Sequence, residues 1–83
     1  MNSVKVEGEG FKTFEATLKK LNLTERAEIN DLIFDVKSTK NFSFWVEIII
    51  KGTDYSDEEI NNFSNEEIYG LGSTIVVEMN KKK

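Results

Sequence analysis

The fold turns on "NFSFWVEIIIKG", residues 41–52. In this stretch Phe42, Phe44, Val46, Ile48 and Ile50 alternate with Ser43, Trp45, Glu47 and Ile49, which is the period of two that a β-strand requires. The pattern predicts a central strand, with the Phe and Ile row facing the core and Trp45 projecting to the opposite face. On the C-terminal side, "STIVVEMN" (73–80) places Ile75, Val77 and Met79 on one face and Thr74, Val76 and Glu78 on the other, and predicts the last strand.

On the N-terminal side, "LTERAEINDLIFDVK" (23–37) admits two readings. As a helix it carries an apolar stripe of Ile29, Leu32, Ile33 and Val36, with Thr24 as N-cap. As a strand over 31–37 it alternates Leu32, Phe34 and Val36 with Asp31, Ile33 and Asp35, and "STKN" (38–41) becomes a loop into the next strand. Only the strand uses Phe34, and that reading is favoured. Earlier still, "SVKVE" (3–7) alternates as a first strand that stops at Gly8 and Gly10. In "FKTFEATLKKLN" (11–22), Phe11, Phe14, Leu18 and Leu21 fall on one helical face, with Glu15 and Lys19 as an i, i+4 pair.

The resulting order is strand, helix, strand, strand, helix, strand. This is the split βαβ, ferredoxin-like α+β arrangement: a four-stranded antiparallel sheet with two helices on one face. Residues 1–80 are expected to form a single domain, with Lys81, Lys82 and Lys83 expected as a disordered basic tail. If 25–37 is helical, the alternative is three helices with a three-stranded sheet.

Composition excludes much chemistry. The 83 residues include neither Cys nor His, which removes disulfides, thiolate zinc sites, thiol nucleophiles and the usual general base near neutral pH. "EGEGF" and "GLGS" lack the phosphate-loop and dinucleotide patterns. An EF-hand register starting at Asp54 fails, because Glu59 stands where the glycine belongs and Asn65 where the closing glutamate belongs. The expectation is a protein that is not an enzyme and holds no metal or cofactor. No apolar run approaches the roughly 20 residues of a membrane span, and "MNSVKVEGEG" has no signal-peptide core, so a cytoplasmic protein is expected.

Charge is uneven. Residues 1–51 hold eight acids and eight bases, whereas 52–80 hold seven acids and no base. Six of those acids lie in "TDYSDEEINNFSNEEIYG" (53–70), where Ser56 to Glu59 and Ser64 to Glu67 each fit the capping box Ser-x-x-Glu. Ile60, Phe63, Ile68 and Leu71 form the buried side of one kinked helix or two short ones, and Gly70 is read as a stop.

"KNFSFWVEI" (40–48) resembles the third-strand motif of RNA-binding modules of the RRM type at Lys40, Phe42 and Phe44. That resemblance implies base stacking on the aromatics. Asn41 and Ser43 replace the small residues of the motif, Glu47 takes an aromatic position, and "VKVEGEG" supplies no aromatic partner.

The expected function is therefore contact and not catalysis. A carboxylate-rich face of Asp54, Asp57, Glu58, Glu59, Glu66 and Glu67, with Trp45 as a further partner-binding residue, would meet a basic protein surface such as a nucleic-acid-binding enzyme. Small size, acidity and the missing catalytic residues resemble the general profile of phage or mobile-element inhibitors of the anti-CRISPR or anti-restriction type. The alternatives are a homo-oligomeric module pairing through a sheet edge or an apolar patch of Trp45, Ile49, Ile33 and Val76, and a ferredoxin-like RNA-binding domain.

Overall fold

The computed structural model describes residues 2–34 and 42–79. Two strands are followed by four helices: β1 (Asn2–Val6), β2 (Phe14–Leu18), α1 (Leu23–Phe34), α2 (Phe42–Gly52), α3 (Asp57–Asn61) and α4 (Asn65–Met79). The four-stranded ferredoxin-like sheet is thus overturned, as is the three-stranded alternative, because the described residues contain a two-stranded sheet alone.

The two strands form an antiparallel ribbon in which Val4 opposes Ala16 and Val6 opposes Phe14. Those four residues and Leu18 share the inward face, while Ser3, Lys5, Glu15 and Thr17 are exposed. The expected helix over 11–22 is therefore a turn and a strand. Its helical spacing counted Phe11, Phe14, Leu18 and Leu21 and passed over Ala16, which is buried and completes the alternation Phe14, Ala16, Leu18. Glu15 accepts a hydrogen bond from Ser3 Oγ across the ribbon at 3.2 Å, and Lys19 pairs with Glu25 instead of Glu15.

The deciding stretch is a helix, α2. Phe44, Ile48, Ile49 and Gly52 are buried, at i, i+4, i+5 and i+8, one helical face. The polar residues of α2, Ser43, Glu47 and Lys51, are spaced by four and share one face of a strand as well as of a helix, so the period of two is satisfied without being diagnostic; the test that counts is length, since eleven residues exceed an ordinary buried strand. The strand expected over 74–79 is likewise the end of α4, whose buried face is Ile68, Leu71, Gly72 and Ile75, while Val77 stays 57% exposed. In both segments the β-branched run favours a strand locally, and packing against the other helix overrides it.

Residues 31–34 belong to α1 and not to a strand, and Phe34, the residue that favoured the strand, is 80% exposed. The rest of that expected strand, its loop and the terminal lysines lie outside the described residues. The N-cap of α1 is Asn22 and not Thr24: Asn22 Oδ1 accepts from Glu25 N at 2.8 Å and Glu25 Oε1 accepts from Asn22 N at 3.1 Å. This is a capping box with Asn in the serine position.

α2 packs most extensively on α4, and β1 closes over α4. The core is the row of Val6, Ala16 and Leu18 from the ribbon set against Ile29, Phe44, Ile48, Ile49, Ile60, Ile68, Leu71 and Ile75 from the helices. The one buried polar residue among those described, Thr53, is satisfied: its Oγ1 donates to Ile49 O at 2.7 Å and accepts from Tyr55 N at 3.3 Å. At the far end of β2, Lys19 N donates to Gly52 O at 2.8 Å, which ties the ribbon to the end of α2.

Candidate functional site

The acidic segment is built around two consecutive helix starts. Ser56 caps α3, its Oγ accepting from Glu59 N at 3.1 Å while Glu59 Oε1 accepts from Ser56 N at 2.9 Å. Ser64 caps α4 in the same way, with Ser64 Oγ accepting from Glu67 N at 3.1 Å and Glu67 Oε1 from Ser64 N at 2.7 Å. Both capping boxes expected from the sequence are formed. Gly70 does not stop the helix; α4 runs through it to Met79, and Thr74 Oγ1 donates to Gly70 O at 2.8 Å.

These bonds divide the six acids. Glu59 and Glu67 have their carboxylates occupied with backbone N–H groups. Asp54, at the exposed entrance to α3, adds a small electrostatic contribution that raises the Lys19 pKa. Asp57, Glu58 and Glu66 are exposed, and neither ion pair among the described residues involves them: those pairs are Lys19–Glu25 at 2.8 Å and Lys51–Glu28 at 3.1 Å. Asp57 and Glu58 stand in the first turn of α3 and Glu66 in the first turn of α4, where the positive helix end favours a carboxylate. The turn between the strands reaches the same place. Gly10 has φ +90°, and a Cβ there would lie 2.9 Å from Glu66 Cγ, so the ribbon's turn rests on the stem of Glu66.

Trp45 is half-buried on α2, edge-on to Phe44 with centroids 4.8 Å apart and to Tyr69 at 6.2 Å. Its ring lies over Gly72, where an added Cβ would come within 2.7 Å of Trp45 Cε3. The residues expected to join it on an open sheet face have no such face to lie on: Ile49 is fully buried, and Ile33 and Val76 are half-buried against the core. The acids cluster at the starts of α3 and α4, whereas Trp45 belongs to the α2–α4 seam. Phe42 and Phe44, the residues of the RRM resemblance, sit on α2, where Phe42 meets Tyr69 edge-on at 5.4 Å and Phe44 is buried.

The strand reading concealed a feature that the helix exposes. Phe42, Val46 and Ile50 recur every four residues along α2 and face Ile60, Phe63 and Ile68 across an open groove of about 300 Å³. Asp57, Asn61 and Asn65 supply its polar lining. On the other side of Ile50 a second hollow of about 250 Å³ is lined by both ion pairs, Lys19 with Glu25 and Lys51 with Glu28. Hydrogen bonding from Lys19, and then from the backbone of Asn22, holds the Glu25 carboxyl below its ordinary value. The same bond to Glu25, followed by the charge of that carboxylate, raises Lys19.

Among the described residues no three acids come together in a way that could hold a metal ion, and no helix is long and apolar enough to cross a membrane. Compared with known proteins, the chain matches no family model, no curated protein and no solved structure.

Proposed function

We propose that this is a small acidic binding module that acts by contact in the cytoplasm, receiving a basic surface of a partner protein at the α3–α4 corner. The observation that carries this reading is that Asp57, Glu58 and Glu66 are exposed and belong to neither ion pair, in a segment from Gly52 to Asn80 that contains no Lys or Arg. Exposed carboxylates held on two short-linked helix starts keep a fixed spacing, and a one-sign patch concentrates potential that steers a cationic partner. The partner class proposed is a phosphate-binding surface of a nucleic-acid enzyme. There the carboxylates would occupy positions meant for the backbone of DNA or RNA, the mode of an anti-CRISPR or anti-restriction inhibitor from a phage or mobile element.

The test is inhibition of a panel of DNA-cleaving enzymes, restriction endonucleases and CRISPR effectors, by the wild-type chain and by the triple variant Asp57→Lys, Glu58→Lys, Glu66→Lys. The wild type is expected to inhibit at least one, about tenfold less strongly when salt rises from 50 to 200 mM, with inhibition abolished in the triple variant. Failure to inhibit any member, or full inhibition by the charge-reversed chain, would sink the proposal.

A further inference from the structure

We infer that the groove between α2 and the α3–α4 corner is a docking site for an amphipathic helix of the partner, with apolar anchors on one face and Lys or Arg flanking them. The inference rests on the basic-partner reading above and names the part of the partner that enters. Three observations carry it. First, the α2 wall is an unbroken apolar ridge of Phe42, Val46 and Ile50, with Phe42 37% and Ile50 45% exposed. Eight residues of helical rise give a ridge about 12 Å long, which matches roughly two turns of a docked helix presenting anchors at i, i+3 or i+4, and i+7.

Second, the walls are helices. Their interior N–H and C=O groups are engaged within α2 and α4, so an extended peptide finds no backbone ladder to join, and recognition falls to side chains. Third, the charge is of one sign. Asp57 is the single charged residue lining the groove among the described residues, and Asn61 and Asn65 are neutral. The nearest base in sequence, Lys51, lines the second hollow and is paired with Glu28 at 3.1 Å. A cationic flank on the incoming helix meets Asp57, whereas among the described residues no base lines the groove to receive an acidic one.

The experiment uses the full chain and three labelled peptides of about fourteen residues, roughly 21 Å if helical. One is a Leu/Lys peptide with Leu at helical spacing; the second has the same composition with Leu and Lys strictly alternating; the third is oligolysine. Binding is read by fluorescence anisotropy and located by amide chemical-shift mapping. The helical-pattern peptide is expected to bind at least about tenfold tighter than the other two, with shifts centred on Val46, Ile50, Ile60 and Asn61. Ile50→Glu and Asp57→Lys, both at exposed positions, are each expected to weaken it about tenfold while leaving the remaining amide spectrum in place.

Equal binding of the alternating peptide, shifts centred elsewhere, or no loss on Ile50→Glu or Asp57→Lys overturns the inference. If oligolysine binds as well as the helical-pattern peptide and loses its affinity on reversal of Glu58 and Glu66, the groove fails as a docking site while the basic-partner reading stands. If none of the peptides binds, both fall.

Discussion

Single residues decide how closely the elements approach. Gly72 lies in the middle of α4, where glycine costs about 1 kcal/mol relative to alanine, yet a Cβ there would press on the Trp45 ring at 2.7 Å. The ring is flanked by Phe44 and Tyr69, which resist its displacement, and overpacking of this kind costs about 1–3 kcal/mol. Gly72→Ala is therefore expected to lose about 1 kcal/mol net in urea unfolding, and a gain in stability would show that the α2–α4 seam is looser than described. Thr53 serves a different purpose, bridging the end of α2 to the entrance of α3 through its hydroxyl. Thr53→Val keeps the shape and leaves Tyr55 N without its acceptor, with an expected loss of about 1 kcal/mol by the same measurement.

The Lys19–Glu25 pair gives stability a pH dependence whose sign can be worked out. Glu25 is lowered from an ordinary 4.5, so its contribution is present above that value and is lost as pH falls through the lower folded one. Lys19 is raised from an ordinary 10.5, so its share is present below that value and is lost as pH rises through the higher folded one. The pair contributes in full between the two ordinary values. In Lys19→Met, the fall in melting temperature on acidification below pH 4.5 is expected to be shallower than in wild type. An unchanged profile would mean that the pair is not held in solution.

At the scale of elements, helix starts carry much of the local specification. Three capping boxes, at Asn22–Glu25, Ser56–Glu59 and Ser64–Glu67, begin α1, α3 and α4. Ser64→Ala removes one acceptor from the start of the longest helix and is expected to cost about 1 kcal/mol in thermal or urea unfolding. The two serine boxes were legible because Ser-x-x-Glu is a local signature. The asparagine box carries the same signature, since Asn22 has Glu25 three residues on whereas Thr24 has Ala27, and reading Thr24 as the cap passes over it.

What was not legible has a common physical cause. In α2 both faces carry large apolar residues, so periods of 2 and 3.6 fit equally well, and the choice is made by what the segment packs against. In β2 the buried Ala16 is too small to register as a core residue, so the alternation was read as a helix. In α4 Gly70 reads as a stop because glycine at a close helix contact and glycine at a helix end are the same letter. β1 and the apolar side of Ile60, Phe63, Ile68 and Leu71 were read correctly, since there the periodicity has one solution. The candidate site followed the same division: its acids were visible in the sequence, whereas the groove beside them exists only once α2 is a helix.

For the whole molecule, charge and packing are segregated. The bases Lys19 and Lys51 pair with Glu25 and Glu28 beside one end of α2, while the α3–α4 corner keeps acids outside those pairs. Ser56, Ser64, Glu59 and Glu67 build the corner, whereas Asp57, Glu58 and Glu66 are the residues proposed to meet the partner. Two variant sets separate these roles. Ser56→Ala with Ser64→Ala leaves every charge in place and is expected to cost about 2 kcal/mol in stability. Asp57→Asn, Glu58→Gln and Glu66→Gln remove only charge, each giving up about 0.3–1 kcal/mol of helix-end stabilisation.

The most direct measurement is the inhibition constant of both sets, against the most sensitive nuclease of the panel, at a temperature where each remains folded. The serine pair is expected to inhibit like the wild type and the charge-neutralised triple to lose at least about tenfold. Inhibition that survives neutralisation of Asp57, Glu58 and Glu66, or that falls with the serines instead, would contradict the proposal.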